Sequence, residues 1–144
     1  MRKIINGKAY DTDTAAIVGE WDNEVGVTDF TYYHEALYRK RTGEYFIHGE
    51  GNAQSKYAVH RYGMWDGGEA ITPLSYEEAR RWAEEHLTAH YYEAEFGEVI
   101  EDDSQVVASY RVSASTKAAI QREAARTGET QGQVIDRLAK ALGE

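Results

Sequence analysis

His86 and His90 stand four residues apart in "EEHLTAH", the spacing at which two imidazoles can share a helix face and ligate a metal. The stretch supplies no third ligand at a set spacing, and Thr88 falls between two predicted helices. Both histidines therefore read as surface or partly buried groups, and no metal site is expected. Asp11 and Asp13 form an acidic pair that helix capping explains better than metal binding. "HGEGN" and "WDGGE" are glycine turns without the lysine or helix of a phosphate loop. No serine occupies a G-x-S-x-G setting, and the chain contains no cysteine, which removes thiolate nucleophiles and thiolate metal sites. Paired carboxylates such as Glu84 and Glu85 fall on the exposed face of a predicted helix. The expectation is a protein that is not an enzyme and needs no cofactor.

The elements that would carry these residues begin with two short runs around Asn6-Gly7 in "RKIINGKAYD", a strong two-residue hairpin signal. "DTDTAAIVGEW" offers Asp and Thr caps, predicting a short helix that Gly19 ends. A second hairpin is expected over residues 32–40 and 44–48, turning at Thr42-Gly43. The stretch from 51 to 74 reads as loop with one short strand over 57–62. "SYEEARRWAEEHL" predicts the clearest helix of this half: Ser75 and Glu78 form a capping box, and Tyr76, Ala79, Trp82, Ala83 and Leu87 line one face. A shorter helix, "AHYYEAEF", stops at Gly97. The expected class is α+β, with a small domain of hairpins plus helices at 1–100, an acidic linker at 101–105, and a strand-helix-helix unit at 106–144.

Charge separates these parts. The 144 residues carry a net charge of −9. Residues 1–103 hold 10 Lys/Arg against 21 Asp/Glu, whereas residues 104–144 hold 6 against 4. Such a split predicts two units with different partners. The acidic part repels nucleic acid and suits a basic surface, with Glu77, Glu84 and Glu85 as candidate partner-binding residues. Tyr and Trp outnumber Phe by 14 to 3, as expected of half-buried rings at an interface. The opening "MRKIINGKAYD" lacks the apolar core of a signal peptide and no run reaches the length of a membrane span. A cytoplasmic protein with no membrane association is expected.

In the tail, Val106, Ala108, Tyr110 and Val112 alternate with Val107, Ser109 and Arg111, the period of a strand. Ser115 or Thr116 then caps a helix running to about Arg126, Thr127-Gly128 breaks it, and a second helix carries Val134, Ile135, Leu138 and Leu142. A lone strand with two short helices cannot bury its apolar face or satisfy its edges. Two copies can do both, by pairing strands antiparallel and interlocking four helices. The expected homodimer interface is Val106, Ala108, Tyr110, Val112, Ile120, Val134, Ile135 and Leu138.

The segments "RVSASTKAAIQREAARTG" and "ETQGQVIDRLAKAL" resemble the ribbon-helix-helix family of dimeric DNA-binding proteins, over about 40 residues. That resemblance implies groove-reading roles for Val107, Ser109 and Arg111, and phosphate contacts at Thr130, Gln131 and Gly132. Of the three groove positions only Arg111 can make a bidentate base contact. Glu129 and Glu123 depart from the family pattern, the first beside the phosphate site, the second at a usually apolar position. Residues 2 to 100, through "KIINGKAYDTDTA", "ALYRKRTGEYFIHGEG" and "ITPLSYEEARRWAEEHL", resemble a small uncharacterised domain of phages and mobile elements, with relatives among anti-CRISPR proteins. This implies an inhibitor that binds a host nucleic-acid-handling complex, a Cas effector being the implied target. The alternative is a dimeric DNA-binding transcriptional regulator that represses its own operon.

Overall fold

The computed structural model describes residues 1–143, and Glu144 lies outside the described residues. The fold is α+β, with strands in antiparallel sheets and, among the described residues, four helices. The chain divides after Glu101 into two compact units.

In the first unit, β1 (Arg2–Ile5) and β2 (Lys8–Asp11) form a hairpin. Asn6 and Gly7 both take positive φ, 52° and 76°, the backbone that a two-residue turn of this kind requires. The main sheet has the order β3-β4-β5-β8, from β3 (Ala16–Asp22), β4 (Tyr33–Arg39), β5 (Tyr45–Gly51) and β8 (Gly68–Leu74). A separate hairpin, β6 (Val59–Arg61) with β7 (Met64–Asp66), turns at Tyr62-Gly63. Two helices follow, α1 (Tyr76–His86) and α2 (Ala89–Phe96).

Both faces of the four-stranded sheet are covered. On one, Leu37, Tyr45 and Ile47 bury against Ala79 and Ala83 of α1, with Trp82, Leu87, Tyr92 and Phe96 packed around them. On the other, Phe46 and Ile71 bury with Tyr10 of the first hairpin. The Tyr10 ring meets Phe46 edge-on at 5.5 Å, and Tyr38 stacks on Phe46 at 5.2 Å. The alternation of β5, Tyr45 and Ile47 one way and Phe46 the other, divides the two cores. The Ser75 capping box forms as expected, Glu78 N–H donating to Ser75 Oγ at 3.1 Å and Ser75 N–H to Glu78 Oε1 at 3.0 Å. Tyr76, expected on the buried face, is half exposed and packs edgewise on Phe96.

Two expectations for this unit are corrected. Residues 16–22 form the edge strand β3 rather than a helix. Pairing with β4 supplies backbone hydrogen bonds that a short isolated helix cannot match, and β-branched Ile17 and Val18 favour it. Gly19 ends no helix. It lies beneath Leu87, whose Cδ2 would stand 2.6 Å from any Cβ there. Asp11 and Asp13 accordingly cap no helix: Asp11 Oδ1 accepts from the Asp13 N–H at 2.9 Å in a turn. The stretch read as loop also contains β7 and β8. Pro73 is tolerated because β8 is a sheet edge.

In the second unit, α3 (Ala114–Thr127) and α4 (Gln131–Leu142) form a helical hairpin. The cap of α3 is Ser113, two residues before the expected Ser115, and its Oγ accepts from the Thr116 N–H at 3.2 Å. Gly128 closes α3 in the left-handed region at φ 76°. Thr130 caps α4 in a capping box with Gln133. Within this chain residues 103–113 carry no helix and no strand, so the strand expected over 106–112 is not formed.

Candidate functional site

The β4 segment "HEALYR" places a carboxylate on a face otherwise given to Leu37. Glu35 is the one buried charged residue among the described residues, 4% exposed. Its cross-strand neighbours explain how it fits. On one side Trp21 stands opposite it on β3, and on the other Gly49 stands opposite it on β5. The missing side chain at Gly49 leaves the space that the Tyr57 ring fills, since a Cβ would lie 1.9 Å from Tyr57 Cζ. Tyr57 thereby lies across β5 and donates its hydroxyl to Glu35 Oε2. From α1, Trp82 Nε1–H donates to Glu35 Oε1 at 3.1 Å, and the Lys56 ammonium stands 2.8 Å from Oε2.

The rings continue around the carboxylate. Tyr57 meets Tyr33 at 6.0 Å, Tyr33 meets Trp21 at 5.6 Å, Trp21 meets His86 at 4.1 Å and His86 meets Trp82 at 5.1 Å between centroids. Five rings thus form a chain whose two ends, Tyr57 and Trp82, both donate to Glu35. Beside it opens a cavity of about 700 Å³, whose charged lining is Glu35, Glu69, Glu78 and Glu85 against Lys56 and Arg81.

Burial pushes the Glu35 carboxyl up, but hydrogen bonds from Lys56, Tyr57 and Trp82, with the Lys56 charge, outweigh it and hold the group below its ordinary value. Burial and then the bond to Glu35 push the Tyr57 hydroxyl well above its ordinary value. A carboxylate held by three donors is a poor proton acceptor. Glu35 is therefore an anchor that fixes the aromatic chain. A comparable joint ties α2 to the sheet, where Glu95 accepts from Tyr45 at 2.7 Å and from Arg39. Burial, then Glu95, raises the Tyr45 hydroxyl to about 12.

The sequence-derived residues fall in three places. Glu77, Glu84 and Glu85 lie exposed on α1, and Glu85 borders the cavity. Glu77 pairs with Arg80 at 3.0 Å, and Glu84 accepts a long bond from Tyr92 at 3.5 Å. His86 is packed between Trp21 and Trp82, whereas His90 is exposed beside Tyr91. No group of three or more metal-ligating side chains occurs among the described residues.

In the second unit, Val134 is fully buried and Ile120 half-buried, but Ile135 and Leu138 are 51% and 50% exposed. Val106, Ala108, Tyr110 and Val112 are exposed, as are Val107, Ser109 and Arg111. Thr130, at the start of α4, is turned into its own capping box with Gln133, with Gln131 and Gly132 following it. Glu123 and Glu129 converge on Arg137, at 2.9 and 3.0 Å, and Glu123 also binds Arg126. These bonds hold the Glu123 carboxyl down at about 2. The two acidic departures from the ribbon-helix-helix pattern are thus the clasp between α3 and α4.

Sequence reading missed Glu35, Trp21, Tyr33, Lys56 and Tyr57. The available signal was a charged residue two positions from Leu37 in an apolar strand. Of its hydrogen-bonding partners, Trp82 came from the expected helix, Tyr57 from the start of the strand expected over 57–62, and Lys56 from the loop before it. No protein-family model, no curated protein and no solved structure matches the chain.

Proposed function

We propose that this protein is a binding protein of a mobile element, dimerised by its tail, whose acidic first unit blocks a basic host surface that grips nucleic acid. A Cas effector is the target class. The observation that carries the reading is the cavity beside α1, aromatic-walled and bearing four carboxylates against two cations, with the exposed Glu77 and Glu84 on the same helix. Acidic and aromatic groups together complement a basic protein surface and speed its capture. Among the described residues no helix is long and apolar enough to cross a membrane, and the proposed site of action is the cytoplasm.

Dimerisation is supported by the apolar residues that the second unit leaves uncovered. Val106, Tyr110, Val112, Ile135 and Leu138 are each at least half exposed. Pairing of the 106–112 segments across a two-fold axis would cover them. Light scattering on the full-length protein should give a dimer, and Tyr110→Asp, which puts an unpaired charge into the shared face, should give a monomer.

A second reading, a DNA-binding regulator, is favoured by Arg111, Lys117, Arg122 and Lys140, which form no ion pair among the described residues, and by the Gln131 and Gly132 N–H groups that open α4 ahead of the capped Gln133 N–H. The two readings separate by substitution. Arg111→Ala should abolish sequence-specific DNA binding, at a cost of about 1–3 kcal/mol, and leave inhibition of the host target intact. Changing Glu77, Glu84 and Glu85 together to Lys should weaken inhibition and strengthen nonspecific DNA association. If Arg111→Ala removes all activity and the lysine triple is silent, the protein is a regulator.

A further inference from the structure

Lys56 stands where a foreign cation would bind. Its ammonium lies over the Tyr33 ring at 5.2 Å and the Tyr57 ring at 5.4 Å while contacting Glu35. Aromatic faces attract cations, more strongly where water is excluded. The groups that build this cage are fixed: Glu35 is on a central strand, Trp82 on α1, and Tyr57 is wedged over Gly49. The group that fills it is open to solvent, the Lys56 side chain being 54% exposed above a carboxylate that is 5% exposed.

We infer that the cage is a receptor for an arginine side chain of a protein partner, and that Lys56 is an internal placeholder displaced when the arginine enters. This deepens, and rests on, the reading of the protein as a binder of basic surfaces. Guanidinium is the better occupant for a physical reason. It is planar, more weakly hydrated than ammonium, and able to stack on rings while donating to a carboxylate. With Lys56 swung out to solvent, the remaining charged lining is Glu35, Glu69, Glu78 and Glu85 against Arg81, a net negative site. The cavity exceeds the size of one guanidinium group and leaves room for the arginine stem beside Ile47, Ala70 and Leu74.

The test titrates N-acetyl-arginine amide into the full-length protein, following the NMR signal of the Trp82 indole N–H that donates to Glu35. In Lys56→Met, half-saturation should come at a concentration about tenfold below that of the wild type. Lys56→Arg, which refills the cage from within, should show no gain. The citrulline analogue, of the same shape without the charge, should give no saturable shift. Equal half-saturation in the wild type and Lys56→Met overturns the inference, as does citrulline binding as well as arginine. If Lys56→Met does not fold, Tyr33→Leu is compared with the wild type, because it removes a wall and leaves Glu35 its three donors. About a tenfold loss supports the inference, and unchanged binding, or no saturable shift in the wild type, overturns it. Failure here with the lysine triple still impairing inhibition leaves the parent reading standing. Arginine binding with the triple silent overturns the parent alone.

Discussion

The two units solve the burial problem differently. The first covers both faces of one sheet, with a helix layer over Leu37 and Ile47 and a hairpin over Phe46 and Ile71. Among its described residues the second fully buries a single side chain, Val134, and Arg137 of α4 ties that helix to Glu123 of α3 and to Glu129 at the surface. Exposed ion pairs contribute little, and one buried valine does not offset the entropy of ordering some 40 residues. The first unit is stabilised from within. The second presents its apolar residues as a surface, in line with the proposed dimer.

The most forceful way to break this contrast is in the core. Phe46→Ala removes a fully buried ring with two aromatic partners and should cost about 3–5 kcal/mol in urea unfolding of the first unit. Leu138→Ala, in the second, should shift the dimer midpoint on dilution and leave the first unit's transition in place. Equal loss in one shared transition would show the two units to be a single cooperative body.

A smaller effect is expected at Gly49. Adding a Cβ drives out the Tyr57 ring and breaks its bond to Glu35, at about 2–3 kcal/mol. The double variant Gly49→Ala with Tyr57→Ala should recover part of this, because the clash is gone. No recovery would place the strain in the backbone of β5.

Smaller still is the acid dependence. Glu35 titrates below its ordinary 4.5 in the folded protein. Its contribution is therefore present above about 4.5, the unfolded value, and fades as pH falls through the lower folded value. Glu35→Gln should flatten that limb for the first unit. Glu123, held at about 2, carries the same sign over the window from 4.5 to about 2, but its exposure makes the effect vanish in high salt. The smallest change expected is Arg137→Ala, which opens the α3–α4 clasp and should lower the melting temperature only slightly. A large drop would mean that the clasp, and not the covered apolar face, holds the tail.

Local chemistry decided much of this protein. Asn6-Gly7 fixed the first hairpin and Thr42-Gly43 marked the second turn, because turns and caps satisfy their own backbone groups within a few residues. Ser75 with Glu78 and Thr130 with Gln133 fixed two helix starts for the same reason. The run "DTDTAAIVGEW" carries caps for a helix and becomes a strand because β4 lies beside it, a neighbour no local window contains. Glu35 reads in isolation as one more acidic residue. Only the tertiary structure brings Trp82, Tyr57 and Lys56 to it from 47, 22 and 21 positions away, and contacts that distant depend on sheet register and on the vacancy at Gly49, which no spacing rule encodes.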